Sequence, residues 1–172
     1  KSDATKPTRK FFDVDLNRLN KIGIVTPNSG KTQIAEQFRI IKRPLLTNVF
    51  NKSCKPGKSA NLIMLSSALA GEGKSFCAVN LAMSIASEMD HRVLLIDADV
   101  ARPTIPKVLG LGAEKGLLDL LLDEKLSVCD VLIRTSVERL NIITAGTQHP
   151  HATELLASKG MELLLDELAQ RY

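Results

Sequence analysis

The stretch from Asn61 to Asp99 constrains this chain more than any other, because it reads strand, glycine loop, helix and strand in succession. Asn61-Leu62-Ile63-Met64-Leu65-Ser66-Ser67 is an apolar run of strand length. The loop Ala68-Leu69-Ala70-Gly71-Glu72-Gly73-Lys74-Ser75 follows, meeting the pattern G-x-x-x-x-G-K-[ST] with Ala68 in place of the first glycine. An apolar helix is expected from Gly73-Lys74 through Phe76, Val79, Met83 and Ala86 to about Asp90. Consecutive backbone N–H groups of such a loop, with the positive end of the helix behind it, suit polyphosphate oxygens. The residues expected around the phosphates are Ala70, Gly71, Glu72, Gly73, Lys74, Ser75 and Phe76. Lys74 would reach the β- and γ-phosphates, and the Ser75 hydroxyl would take one position on Mg²⁺.

The second half of the unit adds carboxylates. Arg92-Val93-Leu94-Leu95-Ile96 is nearly continuous in apolar character, as expected of a parallel strand covered on both faces. It ends in Asp97-Ala98-Asp99, with Arg102-Pro103 just beyond. Ligands of open α/β sheets sit beyond the carboxyl ends of strands, so Asp97 and Asp99 suit a Mg²⁺–nucleotide site. The bland alternative is a chance glycine turn beside two solvated acids. Every local cue agrees with the nucleotide reading instead.

A chain of 172 residues is one domain of ordinary size. Its 44% apolar content, 3% aromatic content and lack of Trp suit an aliphatic α/β interior. The net charge of +4 does not by itself point to nucleic acid. Cys54, Cys77 and Cys129 show no C-x-x-C spacing, which fits reduced thiols and a cytoplasmic setting. No apolar run approaches the roughly 20 residues of a membrane span. The first residue is not Met, so the chain is expected to be a piece of something longer.

Elsewhere, Lys1–Lys10 is polar and basic, and Phe11-Phe12 with Leu16, Leu19 and Ile22 suggests a short helix opening near Asp13 or Asp15. From Thr32, Ile34, Phe38, Ile41, Leu45 and Val49 recur at helical spacing, with Pro44 expected to kink or divide the helix. Its polar face carries Glu36, Arg39, Lys42 and Arg43. Lys52, Lys55 and Lys58 lie in a loop. A helix is expected over Gly116–Asp123, a helix or turn over Val128–Leu132, and a strand from Leu140 to Gly146. Further helices are expected at Thr153–Ala157, with Thr153 as N-cap, and at Met161–Tyr172. The order gives an α/β fold, a largely parallel sheet with helices on both faces, preceded by an N-terminal helical segment. The expected division is 1–58 for that segment and 59–172 for the nucleotide-binding unit.

The chain resembles the bacterial tyrosine autokinases of exopolysaccharide synthesis, which are P-loop NTPases, and within them the exosortase-associated branch. Four blocks carry the likeness. Glu36-Gln37-Phe38-Arg39-Ile40-Ile41-Lys42 resembles the family's E-x-x-R-x-x-[RK] helix, and Ser66–Ala82 its Walker A loop. Leu94–Pro103 resembles its Walker A′ block, and Ala145-Gly146 through Thr153-Glu154-Leu155-Leu156 its A-G…E-L-L segment. His149-Pro150-His151-Ala152 stands where the family commonly has Pro-Pro-Asn-Pro.

The resemblance implies ATP and Mg²⁺ as cofactors and Lys74, Asp97 and Asp99 as catalytic residues, with Ser75, Asp97 and Asp99 at the metal. It further implies subunit contacts in a homo-oligomer through Glu36, Arg39 and Lys42 of a helix at about 32–50. Tyrosines of the protein itself or of partners would be the substrates, and a transmembrane activator of the polysaccharide chain-length type would supply membrane attachment. No nucleic acid is expected. The family's Walker B strand would come after the last helix, where this chain stops, and its tyrosine cluster is missing; Tyr172 reads as a helix-end residue. The piece itself is therefore expected to bind nucleotide at best. The alternatives are a septum-positioning or partition ATPase switch and a nucleotide-responsive docking module. Leu69, where the switch proteins carry an extra lysine, argues against the former.

Overall fold

The computed structural model describes residues 10–50 and 61–172. The expected basic lead-in, the lysines of the loop before Asn61 and Cys54 therefore lie outside the described residues. The elements are β1 (Lys10–Phe12), α1 (Leu16–Lys21), α2 (Gln33–Phe50), α3 (Lys74–Ala86), β2 (Val93–Ile96) and α4 (Ile105–Leu109). They continue with α5 (Leu117–Leu122), α6 (Val128–Val131), β3 (Ile133–Thr135), β4 (Leu140–Ile143), α7 (Ala152–Leu156) and α8 (Lys159–Ala169).

The strands form one sheet in the order β1-β3-β4-β2. β1 runs parallel to β3 and β2 parallel to β4, with Leu95 opposite Ile142, while β3 and β4 are antiparallel. Two of the three pairings are thus parallel, as expected, and the β3–β4 pairing makes the sheet mixed. Side chains alternate across it as a period of two demands. Leu95, Ile133 and Ile142 face a core with Leu19 of α1, Val79 and Met83 of α3 and Leu109 of α4. Leu94, Ile96 and Ile143 face the opposite core with Leu117 of α5, Val131 of α6 and Leu164 of α8. α3 is buried over Val79–Ala86 because it sits between the first core and a third cluster, where it meets Phe38 of α2. Helices thus cover both faces, as the sequence order requires.

The Asn61–Ser67 run departs from its expectation, for it joins no ladder. Ile63 and Leu65 pack on the α2–α3 cluster, whereas Leu62 and Met64 are 48% and 86% exposed. This alternation is that of a strand without hydrogen-bonding partners. Two other differences are strands: the stretch before α1 forms β1, and β3 was not anticipated. Asp15 caps α1, its carboxylate accepting from Arg18 N at 2.9 Å. Pro44 lies inside α2 without dividing it. α7 starts one residue earlier than expected, with His151 rather than Thr153 at its N-cap, and α8 is capped by Ser158, whose Oγ accepts from Met161 N at 3.3 Å. Among the described residues no helix is long and apolar enough to cross a membrane.

Candidate nucleotide site

The glycine loop ends in a helix start that no side chain caps. Gly73 is the N-cap of α3 in the left-handed region at φ 91°, and Gly71 adopts φ 88°. A Cβ added at either glycine would meet nothing within 4 Å, so the surface over the loop is open. Backbone conformations of this kind direct N–H groups outward into an anion-binding concavity. The loop is closed on its outer side by Glu72, whose Oε2 accepts from Leu69 N at 3.0 Å. Ala70, Gly71 and Glu72 are exposed, and Gly73, Lys74 and Ser75 half-buried. The Phe76 ring lies beside Gly23, close enough that a Cβ there would stand 3.6 Å from it.

Lys74 Nζ donates to Asp99 Oδ2 at 2.6 Å, bridging the loop to the end of β2. The Lys74 hydrogen bond, assisted by the Arg102 backbone N–H at 3.1 Å, holds the Asp99 carboxyl below the usual carboxylate range. Arg102 meets Asp99 through its backbone.

Asp97 is 3% exposed. Its Oδ1 accepts from Asp99 N at 3.2 Å and its Oδ2 from Ile105 N at 3.1 Å. Burial pushes this carboxyl up, and the hydrogen bonds only partly offset that effect. The Ser75 hydroxyl meets the Thr104 hydroxyl across the cleft.

The arrangement thus brings Lys74, Ser75, Asp97 and Asp99 together at the open glycine loop. Among the described residues there is no cluster of three or more His, Cys, Asp and Glu that would hold a metal unaided. Two carboxylates and a hydroxyl suit Mg²⁺ instead, which is held by one or two carboxylates with the rest of its shell from phosphate and water. The residues present fit a Mg²⁺–nucleotide. Thr104 was missed; the only signal was a threonine directly before the Ile105-Pro106 start of α4, which reads as an ordinary cap.

The three residues of the expected contact helix fall into two groups. Glu36 and Arg39 are exposed on α2 and paired, Arg39 Nε donating to Glu36 Oε2 at 2.8 Å. Lys42 departs from that surface. It is 7% exposed, donates to Ser84 O at 2.6 Å and pairs with Glu88 at 2.8 Å, joining α2 to α3 within one chain. Glu88 also faces His91, on which Phe50 stacks with ring centroids 4.9 Å apart.

A groove of about 1150 Å³ runs between the Asn61–Ser67 run and β2. Leu62, Met64, Leu94 and Leu165 line it, and Lys74, Asp97 and Asp99 stand at one end. At the other, Asn61 Nδ2 donates to Tyr172 O at 2.5 Å, and Asn141 Nδ2 donates to the Tyr172 hydroxyl at 2.9 Å.

A family model described as the NUBPL iron-transfer P-loop NTPase, ParA, matches residues 58–160. Tyrosine-protein kinase YwqD of Bacillus subtilis is 33% identical over 149 residues, which are 87% of this chain and 60% of that protein. Succinoglycan biosynthesis transport protein ExoP of Rhizobium meliloti is 31% identical over 91% of this chain and 19% of its own length. The crystal structure of the VpsO kinase domain superposes with a TM-score of 0.60 at 30% identity, covering 82% of this chain and 69% of that one. The chain therefore spans 60% and 19% of the lengths of these two curated relatives. By the match of its phosphate-loop region and by its likeness to these relatives, the chain belongs to the ParA-type P-loop NTPases, and within them to the bacterial tyrosine-kinase domains.

Proposed function

We propose that the protein carrying this chain is an ATP-dependent protein-tyrosine kinase, acting on itself or on partners in exopolysaccharide synthesis or export. The observation that carries the reading is the convergence of Lys74, Ser75, Asp97 and Asp99 beneath the open glycine loop. Mg²⁺-ATP, when bound, supplies the phosphoryl group. Backbone N–H groups from Gly71 to Ser75 orient its phosphate oxygens, and Lys74 neutralises their charge. Ser75, Asp97 and Asp99 are the residues that would hold Mg²⁺. Asp97, whose proton affinity burial raises, is placed to accept the proton of an incoming tyrosine hydroxyl. Such positioning and charge neutralisation are most of what phosphoryl transfer requires. The test is incubation of the full-length protein with ATP and Mg²⁺ and a phosphotyrosine readout.

Residues 59–172 form the nucleotide-binding unit in this reading, and a strand lies in the groove between residues 61–67 and β2. Both flanking segments lack ladder partners on that side, and the groove is apolar. A chain continuing from Tyr172 would enter at the start of β2 and run parallel to it, delivering its carboxyl end to Lys74 and Asp97. The amides of Leu94 and Ile96, which face away from β4, and those of 62–66 that face the groove should then be strongly protected from hydrogen exchange in the full-length protein. Rapid exchange there would remove the strand from the account.

Glu36 and Arg39 are the exposed groups for subunit contacts, with Lys42 fixing their helix from within. Membrane attachment comes through a transmembrane activator, which leaves the catalytic unit in the cytoplasm. An ATPase switch is the second reading, favoured by the ParA-type match; hydrolysis without phosphotyrosine would select it.

The Lys74–Asp99 pair competes with phosphate for the same ammonium. Asp99→Asn should tighten ATP binding in EDTA by roughly two- to fivefold, the range that a partly exposed pair implies. Titration calorimetry measures this, and unchanged affinity would show that the pair opens freely.

A further inference from the structure

We infer that Thr104 is a positioning residue for the cation, acting through Ser75; this rests on the nucleotide reading above. Thr104 stands at the N-cap of α4, where a threonine ordinarily turns its hydroxyl back to accept from the first N–H groups of its own helix. Here it makes no such bond. Pro106, the second residue of α4, has no N–H to offer it, and the Ile105 N–H before it goes to Asp97 Oδ2 at 3.1 Å. The Thr104 hydroxyl meets the Ser75 hydroxyl on the second residue of α3. The Ser75–Thr104 pair thus spans the cleft from phosphate loop to carboxylate loop, parallel to the Lys74–Asp99 pair.

The chemistry of a hydroxyl gives the contact its direction. Ser75 has one proton and two lone pairs. To place a lone pair on a cation, its proton must point away and find an acceptor. Either hydroxyl of the pair can donate, so Thr104 Oγ1 is in reach to take the Ser75 proton when a cation claims the Ser75 lone pair. Because Asp97 binds the backbone directly after Thr104, the same residue ties the Ser75 hydroxyl to the buried carboxylate. Groups that orient a metal ligand without touching the metal typically contribute 10- to 100-fold in metal affinity.

The experiment compares wild type, Thr104→Val, Thr104→Ser and Ser75→Ala in the full-length protein, using a fluorescent ADP titrated with Mg²⁺. In EDTA, Thr104→Val should bind the nucleotide like wild type, since the loop N–H groups are untouched. The Mg²⁺ concentration for half-maximal tightening should rise about 10-fold or more. Thr104→Ser, which keeps the hydroxyl, should restore it to within about threefold of wild type, and this rescue excludes a merely structural cause. In a Ser75→Ala background, Thr104→Val should add nothing further. An unchanged Mg²⁺ requirement in Thr104→Val, with a clear Mg²⁺ response in wild type, overturns the role of Thr104 alone. So does an additive effect in the double variant. A wild type that binds no nucleotide overturns the nucleotide reading as well.

Discussion

Lys74→Met should lower phosphotyrosine formation by the full-length protein by on the order of 10²–10³ or more, the scale for removing one preorganised charge-stabilising group. The ammonium is held at the mouth of the phosphate loop by Asp99 at 2.6 Å, and methionine keeps its length while removing its charge. The Lys74–Asp99 pair is part-exposed, and the Arg102 N–H still serves Asp99, so the fold should survive. Asp97→Asn should match it in effect for a different reason. That carboxylate is buried at the end of β2, and the amide neither takes a proton from tyrosine nor offers charge to Mg²⁺. Immunodetection of phosphotyrosine, with circular dichroism as the control for folding, reads both. Persistent phosphotyrosine in either variant would move the chemistry elsewhere.

Gly116→Ala should destabilise the protein by roughly 3 kcal/mol or more, through overpacking against a backbone that cannot yield. A Cβ at Gly116 would stand 2.1 Å from Thr144 O and 2.6 Å from Gly146 N. The approach is close because Leu117 N and Leu118 N donate to Thr144 O and Ala145 O at 2.8 and 3.0 Å, docking the start of α5 on the chain leaving β4. The Asp119 carboxylate completes the junction, accepting from Gly116 N at 2.8 Å and Thr147 N at 3.0 Å. Burial pushes that carboxyl up, but the hydrogen bonds together outweigh it, and the net direction is down. At 2–4 °C per kcal/mol for a domain of this size, Tm should fall by about 6–12 °C or more. A shift within about 2 °C would show that the junction can open.

The candidate site could be read from sequence because its signals are local. Gly73-Lys74-Ser75 and Asp97-Ala98-Asp99 each sit on one turn, and the distance between them is one helix and one strand. What escaped depends on distant partners. β1 and β3 have three residues each, too few to show a period, and exist through pairing, β1 with β3 and β3 also with β4. The Asn61–Ser67 run shows the converse, for it has the composition and alternation of a strand and no ladder, since pairing is supplied by neighbours. Lys42 is more instructive. Residues 38 and 42 share a helix face, so the buried stripe of α2 passes through Phe38 and Lys42, while Ile41 is 48% exposed. Charge suggested a surface and hydropathy a core, and the i,i+4 geometry overrode both. Thr104 looked like a cap because sequence shows which residues precede a helix, not which hydroxyl across a cleft claims them.

The groove beside β2 also governs how this stretch behaves in the hand. Two segments with unsatisfied N–H and C=O groups, lined by leucine and methionine, are a template for any extended peptide. Residues 10–172 expressed alone would recruit one another's strands and concentrate into insoluble material. On the proposal that a strand fills this groove, a separate strand-forming peptide supplied during refolding should recover a soluble form, which light scattering of the refolded material would read.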